Sequence, residues 1–557
     1  MNQTTTYIIG IDTGGTFTDA VAMERATRRI VAAAKRPTTH HDLSLGVGAA
    51  VRAVLDKGNV PYASIDAVAI STTLATNSVV EGRGARVALF LIGYDKNLRL
   101  PVVAVKHIQG GHKFSGEEDK PLALENLLES VRDCQPHVDA YAVCAAMSFV
   151  NPAHELVAAK AIGLLDPKPV FCSHRASGLP GVEERAATAV LNARLMPVMQ
   201  SFLAEVAKAL GAASVTAPVR VVRGDLAVMD AAAAMENPAF TFASGPAASA
   251  RYGAAVAATS SDGAALVVDV GGTTTDVVFV RNGAPTLKEG GNFIGEWETH
   301  VRTVAMHTAG VGGDSWVRPV PGGFMVGPTR VAPLAMADAA PEPAVWLDAD
   351  PGAKCIFLAP GVATDAATVG AEPLLVLLRE RGPSTAASLM TALRVGEIGL
   401  QSRLDAVLRR NLVVEAGFTV TDALHVLGAV DFGDAARSSA GAALLAQAYG
   451  LGVEEFCRDV VLRAQDKIED TILRQCLFAE VGHGMAGLLD ARRSFSMLEV
   501  QFALNSPLVG LGAAAAALLP AVAARLRTTL VLPPHYEVGN AAGAALSAAD
   551  ALMKQQS

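Results

Sequence analysis

The chain has 557 residues, 51% hydrophobic and 18% charged, enough for two to four domains with large apolar cores. A net charge of −8 with no long basic run excludes a nucleic-acid surface. The six cysteines (Cys134, Cys144, Cys172, Cys355, Cys457 and Cys476) include no C-x-x-C pair, which excludes a zinc knuckle or redox pair and leaves small core residues in a reducing cytoplasm.

The N-terminus has no basic region before its first strand and does not read as a signal peptide. Tyr7–Ile11, Ala67–Ser71, Arg86–Leu91, Ala140–Ala145 and Pro169–Cys172 read as buried strands. Helical patterns at Leu43–Lys57 and Leu122–Cys134 alternate with them, the signature of α/β layers. A long helix is expected from Glu183 to Leu210, kinked at Pro197. Val219–Arg223 and Leu266–Val280 restart the α/β pattern, and Pro319–Pro343 reads as an irregular excursion or strap. From about Ser384 the chain reads as mostly helical. Phe456, Val460, Val461, Ala464, Ile468 and Ile472 fall on one apolar face suited to core packing. Val509–Ala524 is the most apolar stretch, but it is short and broken by Gly510, Gly512 and Pro520, so no membrane span is expected. Leu530–Leu532 is a last strand candidate.

Two copies of one pattern carry the chemistry. Ile9-Gly10-Ile11-Asp12-Thr13-Gly14-Gly15-Thr16-Phe17-Thr18-Asp19 and Val268-Asp269-Val270-Gly271-Gly272-Thr273-Thr274-Thr275-Asp276 each give an apolar run, an Asp, a Gly-Gly-Thr turn and a second Asp. Such a hairpin has a tip stripped of side chains, where backbone N–H groups can approach an anion. The hydroxyls of Thr13, Thr16, Thr273 and Thr274 add donors. Asp12 and Asp269 end their strands where a carboxylate can hold Mg²⁺ through water. A single Gly-Gly turn is equally an ordinary hairpin. The duplication favours a triphosphate, ATP, gripped between two domains of similar build.

Further segments give the chain a family resemblance. Ser71-Thr72-Thr73-Leu74-Ala75-Thr76-Asn77, Ser148-Phe149-Val150-Asn151-Pro152-Ala153-His154-Glu155, Gly181–Arg185 with Thr188–Ala193, Ala243-Ser244-Gly245-Pro246-Ala247 and Thr421-Asp422-Ala423 resemble motifs of the hydantoinase A/5-oxoprolinase family. That family lies within the actin–Hsp70–sugar kinase ATPase superfamily, and the likeness runs from about Tyr7 to about Ala548. It implies an α/β fold of two actin/Hsp70-like, ribonuclease H-like domains with an ATP cleft between them, divided here as 1–195 and 196–557. It implies ATP and Mg²⁺ as cofactors and opening of a small cyclic amide whose oxygen is first phosphorylated. A separately encoded, hydantoinase B-like second subunit or a homo-oligomer is the expected partner, with no nucleic acid and no membrane. Alternatives are a carboxylase subunit that activates a ketone and a non-catalytic ATP-binding regulator.

The same resemblance adds Gly312 and Gly313, within Gly310-Val311-Gly312-Gly313-Asp314-Ser315, and Gly510 and Gly512 to the nucleotide-binding set. Two departures stand out. Asp314 replaces a family glycine, and the run from Gly510 to Ala516 lacks the family's His. A C-terminal domain of larger members is expected to be absent. His300 and His307, seven residues apart, are weighed as metal ligands against structural roles. Thr72, Thr73, Thr76 and Asn77 are weighed as a helix cap or a substrate-facing cluster. No Gly-x-Ser-x-Gly elbow or sequence-legible Cys-His pair marks a nucleophile, and no general base is named.

Overall fold

The computed structural model describes residues 5–555 except 16, 40–42, 81, 83, 261–262, 289, 363–371, 409, 495 and 498. It divides into two compact units. Unit 1 holds Met1–Arg251, Thr286–Ala305 and Asn540–Ser557, and unit 2 holds Tyr252–Pro285 and Met306–Gly539.

Unit 1 starts with β1 (Tyr7–Thr13), β2 (Phe17–Glu24), β3 (Ile30–Pro37), α1 (Leu43–Gly58) and β4 (Ile65–Thr72). Strands Val219–Val222 and Val228–Asp230 complete a six-stranded sheet, in which β1 lies between antiparallel β2 and parallel β4. β1 is buried from Ile8 onward, as a central strand covered on both faces must be. α1 lays Val47, Ala50, Val51, Val54 and Leu55 on the sheet at helical spacing. On Gly10, a Cβ would stand 2.0 Å from the carbonyl oxygen of Ala541, so the terminal helix Gly539–Lys554 packs directly on the strand backbone. A second, four-stranded sheet is built on Val87–Ile92 and Ala140–Ala145. Helix Val182–Ala212 runs through Pro197 and buries Ala186, Ala189, Val190 and Ala193.

Unit 2 repeats the first pattern. Ala265–Val270 pairs antiparallel with Thr275–Arg281 and parallel with Leu508–Leu511, which in turn pairs with Leu530–Val531. Each unit therefore carries a ribonuclease H-like strand arrangement. The first part of the stretch expected to be an irregular strap lies in a hairpin, Ser315–Val320 with Gly323–Arg330, while from Leu334 to Pro343 the chain is a 3-10 turn and irregular loop. Pro321, Gly322 and Gly323 make the hairpin's turn, where Gly322 has φ +84°, while Val317, Phe324 and Val326 point into the core. Helix Val453–Val481 buries the expected face of Phe456, Val460, Val461, Ala464, Ile468 and Ile472. Among the described residues no helix is long and apolar enough to cross a membrane.

Candidate functional site

In unit 1 the β1–β2 register sets Asp12 opposite Asp19 and Thr13 opposite Thr18. Asp12 is 5% exposed. Its Oδ1 accepts a hydrogen bond from Ser71 Oγ at 2.6 Å and its Oδ2 one from Asn540 Nδ2 at 3.1 Å. Ser71 comes from the end of β4 and Asn540 from the terminal helix, so three distant segments fix one carboxylate. Gly245 opens onto the same place, since a Cβ there would lie 3.9 Å from Asp12 Oδ1 and 3.8 Å from Thr73. Ser244 binds that region together, its Oγ accepting from the Thr72 N–H and donating to the Thr72 carbonyl. Asp19 pairs with Lys35 at 2.8 Å, and the Lys35 ammonium also lies over the Phe17 ring. Thr13 Oγ1 is buried with no hydrogen-bond partner among the described residues. A buried hydroxyl in that state is costly unless a ligand meets it. Gly14 spends its N–H on the Phe17 carbonyl, closing the turn, and its carbonyl accepts from Thr38 Oγ1. Gly15 follows in the turn, and Thr16 lies outside the described residues.

The hairpin of unit 2 has the same register, Asp269 opposite Asp276 and Val270 opposite Thr275. Gly271 closes this turn as Gly14 closes the other, its N–H donating to the Thr274 carbonyl at 3.0 Å. Gly272 and the exposed Thr273 form the tip. A second turn lies on it. The Gly313 and Asp314 N–H groups donate to the Gly271 and Gly272 carbonyls at 3.0 and 2.7 Å. On Gly312 a Cβ would come within 2.4 Å of the Gly271 oxygen, so this close approach requires glycine. Asp314 folds its carboxylate over Gly272, with Arg330 Nε at 3.2 Å. Gly512, at φ +88°, brings bare backbone against Asp269, with 2.5 Å between its would-be Cβ and Oδ1. Gly510 stands further back, inside the strand against Leu519, Leu530 and Leu532. Asp276 accepts from Thr308 Oγ1 at 2.6 Å. Burial pushes its carboxyl up to about 7, with the neighbouring charge of Asp269 adding to the rise.

The other candidates separate. His300 belongs to unit 1, where Nδ1 meets Ser177 Oγ at 2.7 Å. His307 belongs to unit 2, on strand Met306–Ala309 opposite Val277. Burial lowers the pKa of both. Thr72 caps the helix Leu74–Val80 by accepting from the Leu74 N–H, and Thr73 accepts from Asn77 Nδ2. Glu155, Cys172 and His174 have the geometry of a metal trio. The Glu155 carboxylate already accepts from Ala145 N, Ser173 Oγ, His174 N and His174 Nδ1, so the trio is a closed hydrogen-bond network. Sequence reasoning missed Asn540 and Lys35. The local sign of Asn540 is a polar residue in the first two turns of a helix that are otherwise glycine, alanine and leucine.

Residues 8–163 match the family described as hydantoinase/oxoprolinase N-terminal region, and residues 185–553 match hydantoinase/oxoprolinase. Over 344 residues the chain is 26% identical to caprolactamase subunit alpha from Pseudomonas jessenii. Over 358 residues it is 30% identical to the acetophenone carboxylase gamma subunit from Aromatoleum aromaticum. The chain spans about half the length of these curated relatives, 48% of each, and 56% of this chain is aligned. Nucleotide-free acetone carboxylase shares the fold, with a TM-score of 0.68 at 17% identity over 97% of this chain and 70% of that one. ATP-dependent caprolactamase from Pseudomonas jessenii gives 0.64 at 19% identity over 97% and 71%.

Proposed function

The chain belongs to the hydantoinase/oxoprolinase family, and from that premise we propose that it is an ATP-dependent enzyme component that activates a small cyclic amide by phosphorylating the amide oxygen. Support comes from one observation above the rest: the duplicated Asp-Gly-Gly-Thr hairpin, in the same register in both units. Mg²⁺ would be held through water by Asp12 and by Asp269, where it supplies positive charge against the phosphates. ATP supplies the phosphoryl group that makes the amide carbon electrophilic.

The protein's own part is positioning. Ser71 and Asn540 hold the Asp12 carboxylate in one orientation, so no reorganisation is needed on binding. The buried Thr13 hydroxyl, which has no hydrogen-bond partner among the described residues, would donate to a phosphate oxygen. In unit 2, Gly312 and Gly512 allow backbone to approach the hairpin where any side chain would clash. Attack of water on the activated amide needs a positioned base. That base is assigned to a second subunit, in keeping with relatives that are themselves subunits. The similarity to an acetophenone carboxylase subunit favours a second reading, in which the activated group is a ketone and carboxylation follows.

Release of ADP and ring opening, followed together across lactams and hydantoins, test the proposal. A parallel arm offers ketones with bicarbonate. We expect this chain alone to release ADP slowly with little ring opening, and a reconstituted pair of subunits to couple the two. Robust ring opening by the chain alone would remove the second subunit from the account. ADP release that no cyclic amide stimulates would remove the substrate class.

A further inference from the structure

We propose that Ser177 and His300 form a nucleophile–base pair that accepts acyl groups from small activated esters, an activity of unit 1 that requires no nucleotide. The pair lies outside the hairpin site and rests on its own geometry. Ser177 Oγ and His300 Nδ1 are 2.7 Å apart although 123 residues separate them in sequence. Ser177 Oγ also accepts the Leu179 N–H at 3.0 Å. With one lone pair of the serine oxygen taken, its own proton is directed at the imidazole.

The far side of the ring supports that orientation. Gly181, at φ +99°, is bare where a Cβ would meet Glu184 Oε2 at 2.4 Å and His300 Nε2 at 3.5 Å. The carboxylate and Nε2 therefore both border Gly181, close enough for the charge to act on the ring without a direct hydrogen bond. A carboxylate there favours the imidazole proton on Nε2 and leaves Nδ1 as the acceptor for serine. This is the nucleophile–base arrangement by which a neighbouring imidazole activates a serine, with an acidic group on the far side of the ring. Glu184 is a positioning residue in this scheme, because its charge acts on the base and not on the ester.

The loop is held in place. Arg185, fully buried, donates to the Leu179 carbonyl at 3.0 Å and to the carbonyls of Ala145 and Ala146. The His300 backbone N–H donates to Thr188 Oγ1 at 2.9 Å. Both partners are thus tied to helix Val182–Ala212, whose positive N-terminal end begins five residues after Ser177. Ser177 is half-buried beside the exposed residues Gly178, Leu179 and Pro180, so a small ester can reach it. Leu179, 54% exposed, offers apolar surface for a short acyl chain.

In the reaction, Ser177 Oγ bonds to the ester carbonyl carbon as its proton passes to His300 Nδ1. The carbonyl re-forms, the carbon–alkoxide bond breaks, and the leaving alcohol takes the proton from His300. Water then attacks the acyl-serine by the same route, giving the carboxylic acid and free Ser177. Burial lowers the His300 pKa, leaving the ring uncharged and able to accept at neutral pH. The charged groups acting on the ring are Glu184 and Glu298, which raise its pKa, and Arg185, which lowers it.

The test uses the full chain with a fluorophosphonate probe read by mass spectrometry and with p-nitrophenyl acetate hydrolysis. We expect an adduct on Ser177, no adduct in Ser177→Ala, and at least tenfold slower labelling in His300→Gln. Glu184→Gln should move the acid limb of the pH–rate profile to lower pH, because it removes a charge that raises the His300 pKa. A merely structural Glu184 would leave that limb in place. A folded wild-type chain with no adduct on Ser177 overturns the proposal, as does ester hydrolysis unchanged in Ser177→Ala.

Discussion

The two hairpins share a sequence pattern and a register but neutralise their acids differently. In unit 1 the second aspartate, Asp19, has a lysine at 2.8 Å, and the first, Asp12, is held by Ser71 and Asn540. In unit 2 the corresponding Asp276 meets the Thr308 hydroxyl and stays protonated up to about pH 7. A further carboxylate, Asp314, lies over that turn beside Arg330. Duplication has kept the backbone of the turn and changed the charges around it. The unit 1 hairpin sets its second aspartate against a lysine, and the unit 2 hairpin changes charge near neutrality.

The largest effect expected from breaking this comparison is on turnover. Asp12→Ala should lower ATP cleavage by about 3 kcal/mol in activation free energy, roughly a hundredfold, with a modest change in melting temperature. Asp269→Ala should do the same if both hairpins serve one reaction. Steady-state ADP release measures both, and near-normal rates would remove the carboxylates from the metal role.

Packing comes next. Gly10→Val places a branched side chain where a Cβ is already 2.0 Å from the Ala541 oxygen. It should cost about 3 kcal/mol in denaturant unfolding. If Gly10→Val left stability unchanged, the terminal helix would not be seated on β1.

The unit 2 charge state predicts a pH dependence. The folded pKa of Asp276 is raised from 3.8 to about 7, so the folded protein holds this proton more tightly than the unfolded chain. Its contribution is complete below pH 3.8 and is lost as pH rises through 7. Asp276→Asn should remove this loss and gain on the order of 1–3 kcal/mol over wild type at pH 8 in chelator-treated buffer. Parallel stability–pH curves for the two proteins would contradict the raised pKa.

The smallest effect is in unit 1. Lys35→Met removes the ammonium from Asp19 at a partly exposed site and should cost about 1 kcal/mol, less at high salt. A loss that does not respond to salt would indicate packing of the lysine stem on Phe17 as the cause.

Much of this was legible in the sequence, and the legible part is local. Gly-Gly-Thr between two apolar runs defines a hairpin within a dozen residues, and the two Asp positions follow from the alternation of a strand. The apolar face of Val453–Val481 follows equally from helical spacing. The neutralising partners were not legible. Lys35 reaches Asp19 through the β2–β3 register, and Asn540 reaches Asp12 across more than five hundred residues of chain. Backbone hydrogen bonding also altered one expectation. The first glycine of each turn uses its N–H to close the turn, so that N–H is not a free phosphate donor. Gly510 matched a motif, but its surroundings of three leucines depend on how a later strand and helix pack.

The central claim is that the duplicated hairpins bind a nucleotide with its metal, and calorimetric titration of the chain with ATP tests it most directly. The account predicts saturable binding in the presence of Mg²⁺, strongly weakened by chelator and by Asp12→Ala, with a rise in stability of about 2.7 kcal/mol at a hundredfold excess over Kd. Absence of binding at millimolar ATP and Mg²⁺ would contradict it.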